Sequence, residues 1–370
     1  MTKTIAARLM LVGLFFALAC GTAPRGGATG STSAGAGDDA QRASGASQSS
    51  SQAAQGATQS GTKFRVETVV TGLEVPWSIV FTSPTRMLIT ERPGRVRVFE
   101  NGRLRPEPLA TISDVEPTGE SGLMGLTLHP AYAQNKLLYL SYAYKGDGGQ
   151  MVRVVRFRDD GNTLSDRRVI IEGIPAAQFH AGTRLRFGPD GKLYVTTGDA
   201  TDRALAQRMD SINGKTLRLN DDGTVPPDNP FVSQQGARPE IWTYGHRNSQ
   251  GMDFQPGTNL MFQTEHGPSG FDGPGGGDEV NIVERGKNYG WPVIHHTQTH
   301  EGMESPLLEY TPACAPGSGS FYRGVNANGF ADFRGNFFFG CLRGERLIRV
   351  ALDGRRVLSQ ENLFEKQYGR

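Results

Sequence analysis

The stretch that decides the fold is Leu185-Arg186-Phe187-Gly188-Pro189-Asp190-Gly191-Lys192-Leu193-Tyr194-Val195-Thr196. A short run with apolar residues at its first and third positions leads into Gly-Pro-Asp-Gly, and a second run of strand-forming residues follows. Pro, Asp and Gly are the residues that tight turns favour, whereas aromatic and β-branched residues favour strands. The stretch therefore predicts two strands joined by a turn.

The same arrangement recurs, and five copies are visible at spacings of roughly 45 to 70 residues. Further strands follow most copies, for example at 95–99 and 152–158. A unit of around four strands repeated at this period predicts a β-propeller. A large irregular sandwich is the alternative, but the regular turns at Asn101-Gly102 and Asp222-Gly223 are typical of meander hairpins. The other copies are 77–81 with 87–90, 125–130 with 137–140, 251–256 with 260–263, and 320–322 with 336–339.

The N-terminus has the pattern of a secretion signal. Lys3 and Arg8 give a basic start, residues 9–19 are apolar, and small residues precede Cys20. The apolar run is too short to span a bilayer as a mature helix. A cysteine at this position resembles a bacterial lipoprotein box, so residues 1–20 predict a lipid on Cys20. The alternative is an ordinary signal peptide cleaved nearby.

Residues 21–62 consist mainly of Gly, Ser, Ala, Thr and Gln, which predicts a flexible tether. Residues 63–370 form the expected folded domain, in which a lone strand at 64–70 precedes the first copy of the repeat. The net charge is +2 with the two signs interspersed, a pattern that does not indicate nucleic-acid binding. We therefore expect an exported protein, periplasmic or at the cell surface, held to the outer membrane only through the lipid.

Two glycine-containing loops carry the chemistry: His-Ala-Gly-Thr-Arg at 180–184 and Tyr-Gly-His-Arg-Asn-Ser-Gln-Gly at 244–251. Polar residues on such loops, at the ends of strands, are a common way to build a site on a rigid scaffold. His180 suits a general base because histidine titrates near neutrality, and the alternative is a capped surface residue. Arg247 suits a ligand contact, and the alternative is a structural ion pair, for instance with Glu240.

Further ordered motifs surround these loops: Val75-Pro76-Trp77-Ser78-Ile79, Thr90-Glu91-Arg92-Pro93-Gly94-Arg95, Glu265-His266-Gly267-Pro268, Gly277-Asp278-Glu279-Val280-Asn281 and Gly286-Lys287-Asn288-Tyr289-Gly290-Trp291-Pro292. On these motifs the chain resembles the soluble aldose sugar dehydrogenases of the glucose/sorbosone dehydrogenase family, which use pyrroloquinoline quinone (PQQ). The resemblance implies an all-β fold, a six-bladed propeller of four-stranded blades with the cofactor at one mouth of the central channel. Because only five copies are visible, it also implies a C-terminally truncated chain.

The resemblance implies oxidation of the anomeric carbon of an aldose sugar to a lactone, with hydride passing to PQQ. His180 matches the base that removes the hydroxyl proton, and Asp199 matches the carboxylate that orients the imidazole. Arg247 and Asn248 match a pair that contacts the quinone, where a guanidinium stabilises growing negative charge. The other matches to cofactor-binding positions are Glu120, Arg343 and Arg370. Neither the particular sugar nor the electron acceptor follows from the resemblance.

The resemblance also implies Ca²⁺. Gly267 and Pro268 match backbone carbonyls that hold the calcium bound to the quinone, and calcium accepts main-chain oxygens readily. Glu279 and Tyr289 match a separate, structural calcium site. The alternative for residues 270–278 is a solvated loop.

Two rival functions stay open. A non-catalytic cell-surface binding propeller is one, and a calcium-dependent lactonase-type hydrolase is the other. The hydrolase would need several carboxylate or amide side chains converging on the channel. The redox state of Cys314 and Cys341 is also undecided, because they could form a disulfide in an oxidising compartment or remain free buried thiols.

Overall fold

The computed structural model describes residues 55–57, 61–324 and 329–367. The predicted signal peptide with Cys20, most of the predicted tether, and Arg370 lie outside the described residues. No helix in the described part of the chain is long and apolar enough to cross a membrane.

Five antiparallel sheets follow one another along the chain, and we number them blade I to blade V. They confirm the five copies predicted from the sequence. The strands of blades I and II are β3 (Pro76–Ser83), β4 (Arg86–Glu91), β5 (Arg95–Glu100), β6 (Arg103–Leu104) and β7 (Ala110–Thr111), then β8 (Leu123–Leu128), β9 (Leu137–Gly146), β10 (Gly149–Asp159) and β11 (Leu164–Pro175). In blade I the outer position is shared, because β6 and β7 both pair with β5.

Blades III to V have four strands each, connected as meanders. Helix is nearly absent from the described residues, as the sequence predicts: α1 (Tyr132–Asn135) and two 3₁₀ turns, Arg203–Ala206 and Ala331–Phe333. The strands are β12 (Leu185–Phe187), β13 (Leu193–Thr197), β14 (Lys215–Leu219) and β15 (Ile241–Tyr244); β16 (Ser249–Phe254), β17 (Met261–Glu265), β18 (Asp278–Val283) and β19 (Leu308–Tyr310); β20 (Pro316–Phe321), β21 (Phe337–Cys341), β22 (Arg346–Asp353) and β23 (Arg356–Leu363).

The first strand of each blade lies innermost. Strands β3, β8, β12, β16 and β20 contact one another in sequence order, so each blade packs on the next. The core lies between the blades. Strand β9 is buried from Leu137 to Tyr144, since it has a neighbouring blade on both faces, whereas β23 on the outside is largely exposed. This radial packing brings the loops that follow or precede the inner strands to a common channel.

Local turn chemistry accounts for the meander. Between β5 and β6, Asn101 and Gly102 both have positive φ, 51° and 80°. A two-residue hairpin of this kind needs positive φ at both positions, which Asn and Gly tolerate best. The hairpin predicted at Asn101-Gly102 is therefore confirmed.

The N-terminal strand differs from the prediction. Instead of a lone strand over 64–70, the structure has β2 (Lys63–Arg65) paired with β1 (Gln55–Ala57) in a separate ribbon. Residues 67–69 are exposed and have no strand partner, so nothing extends the strand to residue 70. The sixth blade of the family fold and the truncation stay predictions.

Candidate active site

His180 lies in the loop between β11 and β12, and its backbone is in the left-handed region at φ 59°. The side chain is buried, and its Nδ1 lies 2.7 Å from Asp199 Oδ1. Asp199 follows β13 directly, separated from it only by Gly198. A side chain at Gly198 would collide with the His180 carbonyl, so the close approach of these two loops requires glycine there.

The Asp199 carboxylate is held from several sides. Its Oδ2 accepts a hydrogen bond from Trp291 Nε1 at 2.9 Å, and its Oδ1 accepts one from the Thr201 amide at 2.8 Å. A carboxylate fixed in this way sets the tautomer of the imidazole by accepting from Nδ1–H. The other imidazole nitrogen, Nε2 of His180, has no hydrogen-bond partner among the residues that the structure describes. That nitrogen is the free basic atom of the site.

Arg247 is also fully buried, with 2% of its surface exposed. Its guanidinium donates from Nε to Asp272 Oδ2 at 2.8 Å and from Nη1 to the His266 carbonyl at 3.1 Å. A third bond runs from Nη2 to Ser269 Oγ at 3.1 Å. The Arg247 carbonyl accepts a hydrogen bond from the Asp199 amide at 2.8 Å, so the segments that carry these two residues are joined through their backbones. Arg247 is thus in an ion pair, as the alternative considered from the sequence had it, but with Asp272; Glu240 instead pairs with Arg238.

A buried, hydrogen-bonded pair of side chains, Glu265 and His246, lies next to the Arg247 backbone. Glu265 accepts the Arg247 amide through Oε1 and bonds His246 Nδ1 through Oε2 at 2.8 Å. Burial alone would raise the pKa of Glu265, but His246 and these hydrogen bonds hold the pKa below its ordinary value. The carboxylate is therefore charged and fixes the backbone at the start of the Arg247 loop.

Glu120 joins the two glycine loops. Its Oε2 accepts the His180 amide at 3.1 Å and lies 3.5 Å from Asn248 Nδ2. Asn248 Oδ1 in turn accepts from Gln250 Nε2 at 3.0 Å. The structure thus brings together five residues predicted from the sequence: His180, Asp199, Arg247, Asn248 and Glu120.

A narrow pocket, partly open to solvent, lies beside these residues. Glu120 and the residues after His180, Ala181 and Gly182, form part of its wall. Trp77 and Leu342 contribute apolar surface from blades I and V. The pocket is therefore bordered by most of the blades, as expected for the mouth of a propeller channel.

Cationic groups surround the pocket. Arg92 lines it, donates from Nη1 to the Gly119 carbonyl, and has a buried Nε without a partner in the described residues. Arg184 lies next to the lining residue Trp77, with its Cζ 4.4 Å from the ring centroid. Its donors reach Ser78 Oγ at 3.0 Å, the Gln250 carbonyl at 3.0 Å, and Ser318 Oγ, so it links blades I, III, IV and V.

Arg184 carries an uncompensated charge. No carboxylate of the described residues forms an ion pair with it, and burial together with Arg186 lowers its pKa to about 9. A buried cation without a counter-charge is costly. Arg184 is thus a buried cation without a carboxylate partner among the described residues, in contact with the lining residue Trp77.

His266 completes the pocket wall. Its Nε2 lies 3.0 Å from the Pro316 carbonyl, which makes Nε2 the protonated nitrogen. Burial lowers the pKa of His266, so the ring is neutral at physiological pH. This residue was quoted in a motif but not predicted as a site residue.

The predicted calcium loop begins directly after His266. The Gly267 amide donates to Asp278 Oδ1 at 2.8 Å, and the Pro268 carbonyl accepts the Gly276 amide at 3.2 Å. The described residues contain no group of three or more His, Cys, Asp or Glu side chains that could hold a metal ion. Calcium takes six to eight oxygens. Two carbonyls would thus leave most of the shell to a cofactor and water.

The second predicted calcium site has an oxygen-rich setting. Burial and the neighbouring Glu265 raise the pKa of Glu279, and the buried Oδ1 of Asn281 lacks a partner among the described residues. The Tyr289 hydroxyl is occupied, because it donates to the Ile282 carbonyl at 2.7 Å and accepts the Glu284 amide at 2.9 Å. Only the Tyr289 carbonyl would be available as a ligand.

Arg343 lies apart from the other predicted cofactor residues. It is exposed and lines a separate surface depression with Glu345 and Lys366, although its neighbour Leu342 lines the main pocket. Its predicted role is not tested by this arrangement. Arg370 lies outside the described residues.

Two partners of the catalytic residues were not predicted. Trp291 is 92 positions from Asp199, and Asp272 is 25 positions from Arg247. The only sequence signal for Trp291 was its place in the motif 286–292. Asp272 lies in the Gly-rich segment for which a solvated loop was the alternative, and that segment is instead anchored to Arg247.

Residues 73–370 match the family described as "Glucose / Sorbosone dehydrogenase". This chain belongs to the glucose/sorbosone dehydrogenase family. The resemblance stated from the motifs is thereby confirmed.

Individual members of the glucose/sorbosone dehydrogenase family are similar to this chain in sequence and in structure. Aldose sugar dehydrogenase YliI of Escherichia coli is 35% identical over 311 residues, which cover 79% of this chain and 81% of the relative. A putative oxidoreductase (glucose dehydrogenase) from Thermus thermophilus is 43% identical with a TM-score of 0.73, covering 81% of this chain and 87% of the other. The PQQ-bound aldose sugar dehydrogenase from Streptomyces coelicolor is 30% identical with a TM-score of 0.71, covering 82% and 86%.

Proposed function

We propose that this protein oxidises the anomeric carbon of aldose sugars to lactones with PQQ as cofactor. The observation that carries the proposal is the His180–Asp199 pair, in which Nδ1 of the imidazole is fixed and Nε2 has no hydrogen-bond partner in the described part of the chain, next to Ala181 and Gly182 of the pocket wall. A general base needs this combination of fixed orientation and a free basic atom. The family relationship gives the substrate class and the cofactor.

The residues around the pocket suit a planar polycarboxylate such as PQQ. Arg92 offers a buried Nε without a partner in the described part of the chain, and Arg184 contributes a buried charge without a carboxylate. Guanidinium groups are well matched to carboxylates. Trp77 and Leu342 would contact the apolar faces of such a ring system.

The chain's own residues would prepare the sugar. When bound, PQQ would supply the hydride acceptor. His180 would take the proton of the anomeric hydroxyl at Nε2, and Asp199 would stabilise the resulting imidazolium through Nδ1–H. The Trp291 bond keeps the Asp199 carboxylate from turning away. Arg247, Asn248 and Glu120 would contact the cofactor, with Arg247 providing fixed positive charge where negative charge develops.

Ca²⁺ would be held by the carbonyls of Gly267 and Pro268, with further oxygens from the cofactor and water. There it would supply Lewis-acid polarisation and a template for the cofactor. Glu279 and the Tyr289 carbonyl would form the separate structural site, and the free Oδ1 of Asn281 supports an oxygen-binding ion there. Arg343 and Arg370 are proposed to face the cofactor's carboxylates.

The setting of the reaction is part of the same proposal. We propose an exported protein, periplasmic or at the cell surface, with the lipid on Cys20 as its link to the outer membrane. The chain would deliver its electrons to an acceptor whose identity is open.

The rival hydrolase has less support. A metal-dependent hydrolase of this shape needs carboxylate or amide ligands that converge on one ion, and the described residues contain no group of three such acidic, His or Cys side chains. A binding propeller without chemistry would not need the fixed His180–Asp199 pair.

Reconstitution tests the proposal. Purified protein would be mixed with PQQ and Ca²⁺, and reduction of an electron-accepting dye would be followed with several aldoses. We expect sugar-dependent dye reduction that requires both additions and is abolished in His180→Ala. A protein that binds PQQ but reduces no dye with any aldose would contradict the proposal. Lactone hydrolysis without PQQ would favour the hydrolase.

A further inference from the structure

Phe271 is the most exposed large hydrophobic residue among those described, with 67% of its surface accessible. It lies in the segment between β17 and β18, the one that also carries Gly267 and Pro268. Leaving an aromatic ring in water forgoes the free energy that its burial would give. A single exposed apolar residue is ordinary on a protein surface, so what distinguishes Phe271 is its position beside His180 and Arg247.

The segment holds Phe271 in place. The adjacent Asp272 accepts from Arg247 Nε at 2.8 Å and from the Ser269 amide at 3.0 Å. The Asp272 carbonyl accepts from Arg203 Nη1 at 3.0 Å. With its neighbour anchored at three points, the phenyl ring is positioned before any ligand arrives, which reduces the entropic cost of binding.

The ring lies over the catalytic residues. Its centroid is 6.2 Å from that of the His180 imidazole, and the two planes are inclined by 27°. The Arg247 Cζ lies 6.0 Å from the same centroid. A ligand that contacts the Phe271 ring would thus lie near both the His180 imidazole and the Arg247 guanidinium.

The chemistry of this surface selects an amphipathic ligand. A purely apolar ligand would cover the polar atoms of His180 and Arg247 without bonding them, which is costly. A highly polar ion would gain nothing from the phenyl ring. A pyranose has both features, because its ring C–H groups form an apolar face and its hydroxyl groups project from the edge.

We propose that Phe271 is the platform on which the aldopyranose substrate stacks, and that it sets the affinity for the sugar at the His180 site. This inference rests on the proposed function for the choice of sugar. The platform contributes to substrate binding, whereas His180 and Asp199 carry out the proton transfer. Its removal should therefore change KM far more than kcat.

Kinetics of three variants test the platform. Phe271→Ala removes the ring, Phe271→Trp keeps an aromatic surface, and Phe81→Ala removes a 40% exposed phenylalanine from β3, away from the site. In the PQQ- and Ca²⁺-loaded protein, we expect Phe271→Ala to raise KM for aldoses by roughly tenfold with kcat changed less than about threefold. Phe271→Trp should keep KM near the wild-type value, and Phe81→Ala should leave both constants unchanged.

A binding experiment separates the platform from the oxidation. Methyl β-D-glucopyranoside has no free anomeric hydroxyl, so it can bind but cannot be oxidised. Saturation-transfer NMR on the loaded protein should show saturation of its ring C–H protons above that of its methyl group. Phe271→Ala should lose that ring signal, and Phe271→Trp should retain it.

The outcomes distinguish the two ideas. An unchanged KM and an unchanged ring signal in Phe271→Ala would overturn the platform while leaving the dehydrogenase intact. Loss of the ring signal in Phe271→Ala, in a protein that oxidises no aldose, would support the platform and contradict the proposed function. A kcat that falls together with an unchanged KM would also overturn the platform, since it would place Phe271 in the chemical step. Thermal denaturation of each variant checks that the fold is retained.

Discussion

His180 Nδ1 lies 2.7 Å from Asp199 Oδ1, and the second oxygen of the same carboxylate accepts from Trp291 Nε1 at 2.9 Å. The carboxylate therefore cannot rotate without losing a buried hydrogen bond. Because His180 lies at the entry to blade III and Trp291 follows the third strand of blade IV, two blades hold the Asp199 carboxylate in place. Because the blades are packed rigidly against one another, the orientation of the Asp199 carboxylate is fixed as well.

Asp199→Asn should lower kcat by about 10²- to 10⁴-fold, the usual range for loss of general-base function. The amide has nearly the same shape, but it cannot stabilise the imidazolium, and its NH₂ group favours the wrong tautomer. Steady-state kinetics in the reconstituted protein measures this. Trp291→Phe is the matched control, since it removes only the second bond to Asp199, and we expect a smaller loss. An Asp199→Asn enzyme with wild-type kcat would contradict the role of the pair.

Arg247→Lys should lower kcat by roughly 10²-fold, although the charge is kept. A single ammonium cannot reach Asp272, the His266 carbonyl and Ser269 Oγ together, because it lacks the planar fork of the guanidinium. Dye-reduction kinetics at saturating PQQ checks this result. Arg238→Lys, at the half-buried pair with Glu240, is the control and should behave as wild type. Equal losses in both variants would argue against a special role for Arg247.

Asp253→Asn should destabilise the protein by about 3–5 kcal/mol, because it breaks a buried charge cluster. Asp253 lies in β16 and binds Arg186 Nε of blade III at 2.9 Å, as well as Arg323 Nη1 and the Phe321 amide of blade V, both at 2.8 Å. Its loss would loosen three blades at once. Urea unfolding at neutral pH gives the difference. A change as small as that of Asp210→Asn, at an exposed pair with Arg208, would contradict it.

The difference in unfolding free energy between wild type and Asp253→Asn should become smaller as the pH falls. Burial would raise the pKa of Asp253, but Arg186 and Arg323 lower it to about 2, below its ordinary 3.8. A carboxylate with a depressed folded-state pKa stabilises the protein above pH 3.8, and this contribution disappears as the pH falls through about 2. The gap in unfolding free energy between wild type and Asp253→Asn should therefore narrow by about 2 kcal/mol over this window. A gap that stays constant with pH would contradict the charge-based account.

The two cysteines should oxidise to a disulfide. Cys314 and Cys341 are buried with their sulfur atoms 2.7 Å apart, as free thiols. Oxidised glutathione would take up the two electrons and two protons as the S–S bond forms. Closing a loop of 27 residues should stabilise the fold by about 3–4 kcal/mol relative to the reduced protein. Mass spectrometry should show the loss of two hydrogens, which Cys341→Ser prevents, and two thiols that stay titratable after unfolding would contradict the prediction.

Most of the fold was predictable because it is encoded locally. Turns such as Asn101-Gly102 and runs such as 185–196 carry their own geometry, so the five sheets follow from the sequence. The extent of the N-terminal strand was not predictable, because it depends on whether a partner strand lies beside it. Residues 63–65 pair with residues 55–57, and no pattern in the sequence predicted this pairing.

The site was predictable where a motif contains the residue and not where a distant side chain approaches it. His180, Asp199, Arg247, Asn248 and Glu120 lie in short motifs and converge as expected. The partner of Arg247 was different from the one considered, because Asp272 reaches it across a loop whose path depends on glycines and on Arg203. The position of Phe271 beside His180 depends on the path of the same loop, so the sequence did not predict it.

One measurement tests the central claim most directly. PQQ- and Ca²⁺-loaded protein, without any dye or oxygen, would be mixed with D-glucose or with glucose deuterated at C1, and the quinone absorbance followed in a single turnover. We predict one lactone formed for each quinone reduced, slower reduction with the deuterated sugar, and PQQ binding without reduction in His180→Ala. Reduction in His180→Ala at the wild-type rate, or quinone bleaching without lactone, would contradict the account.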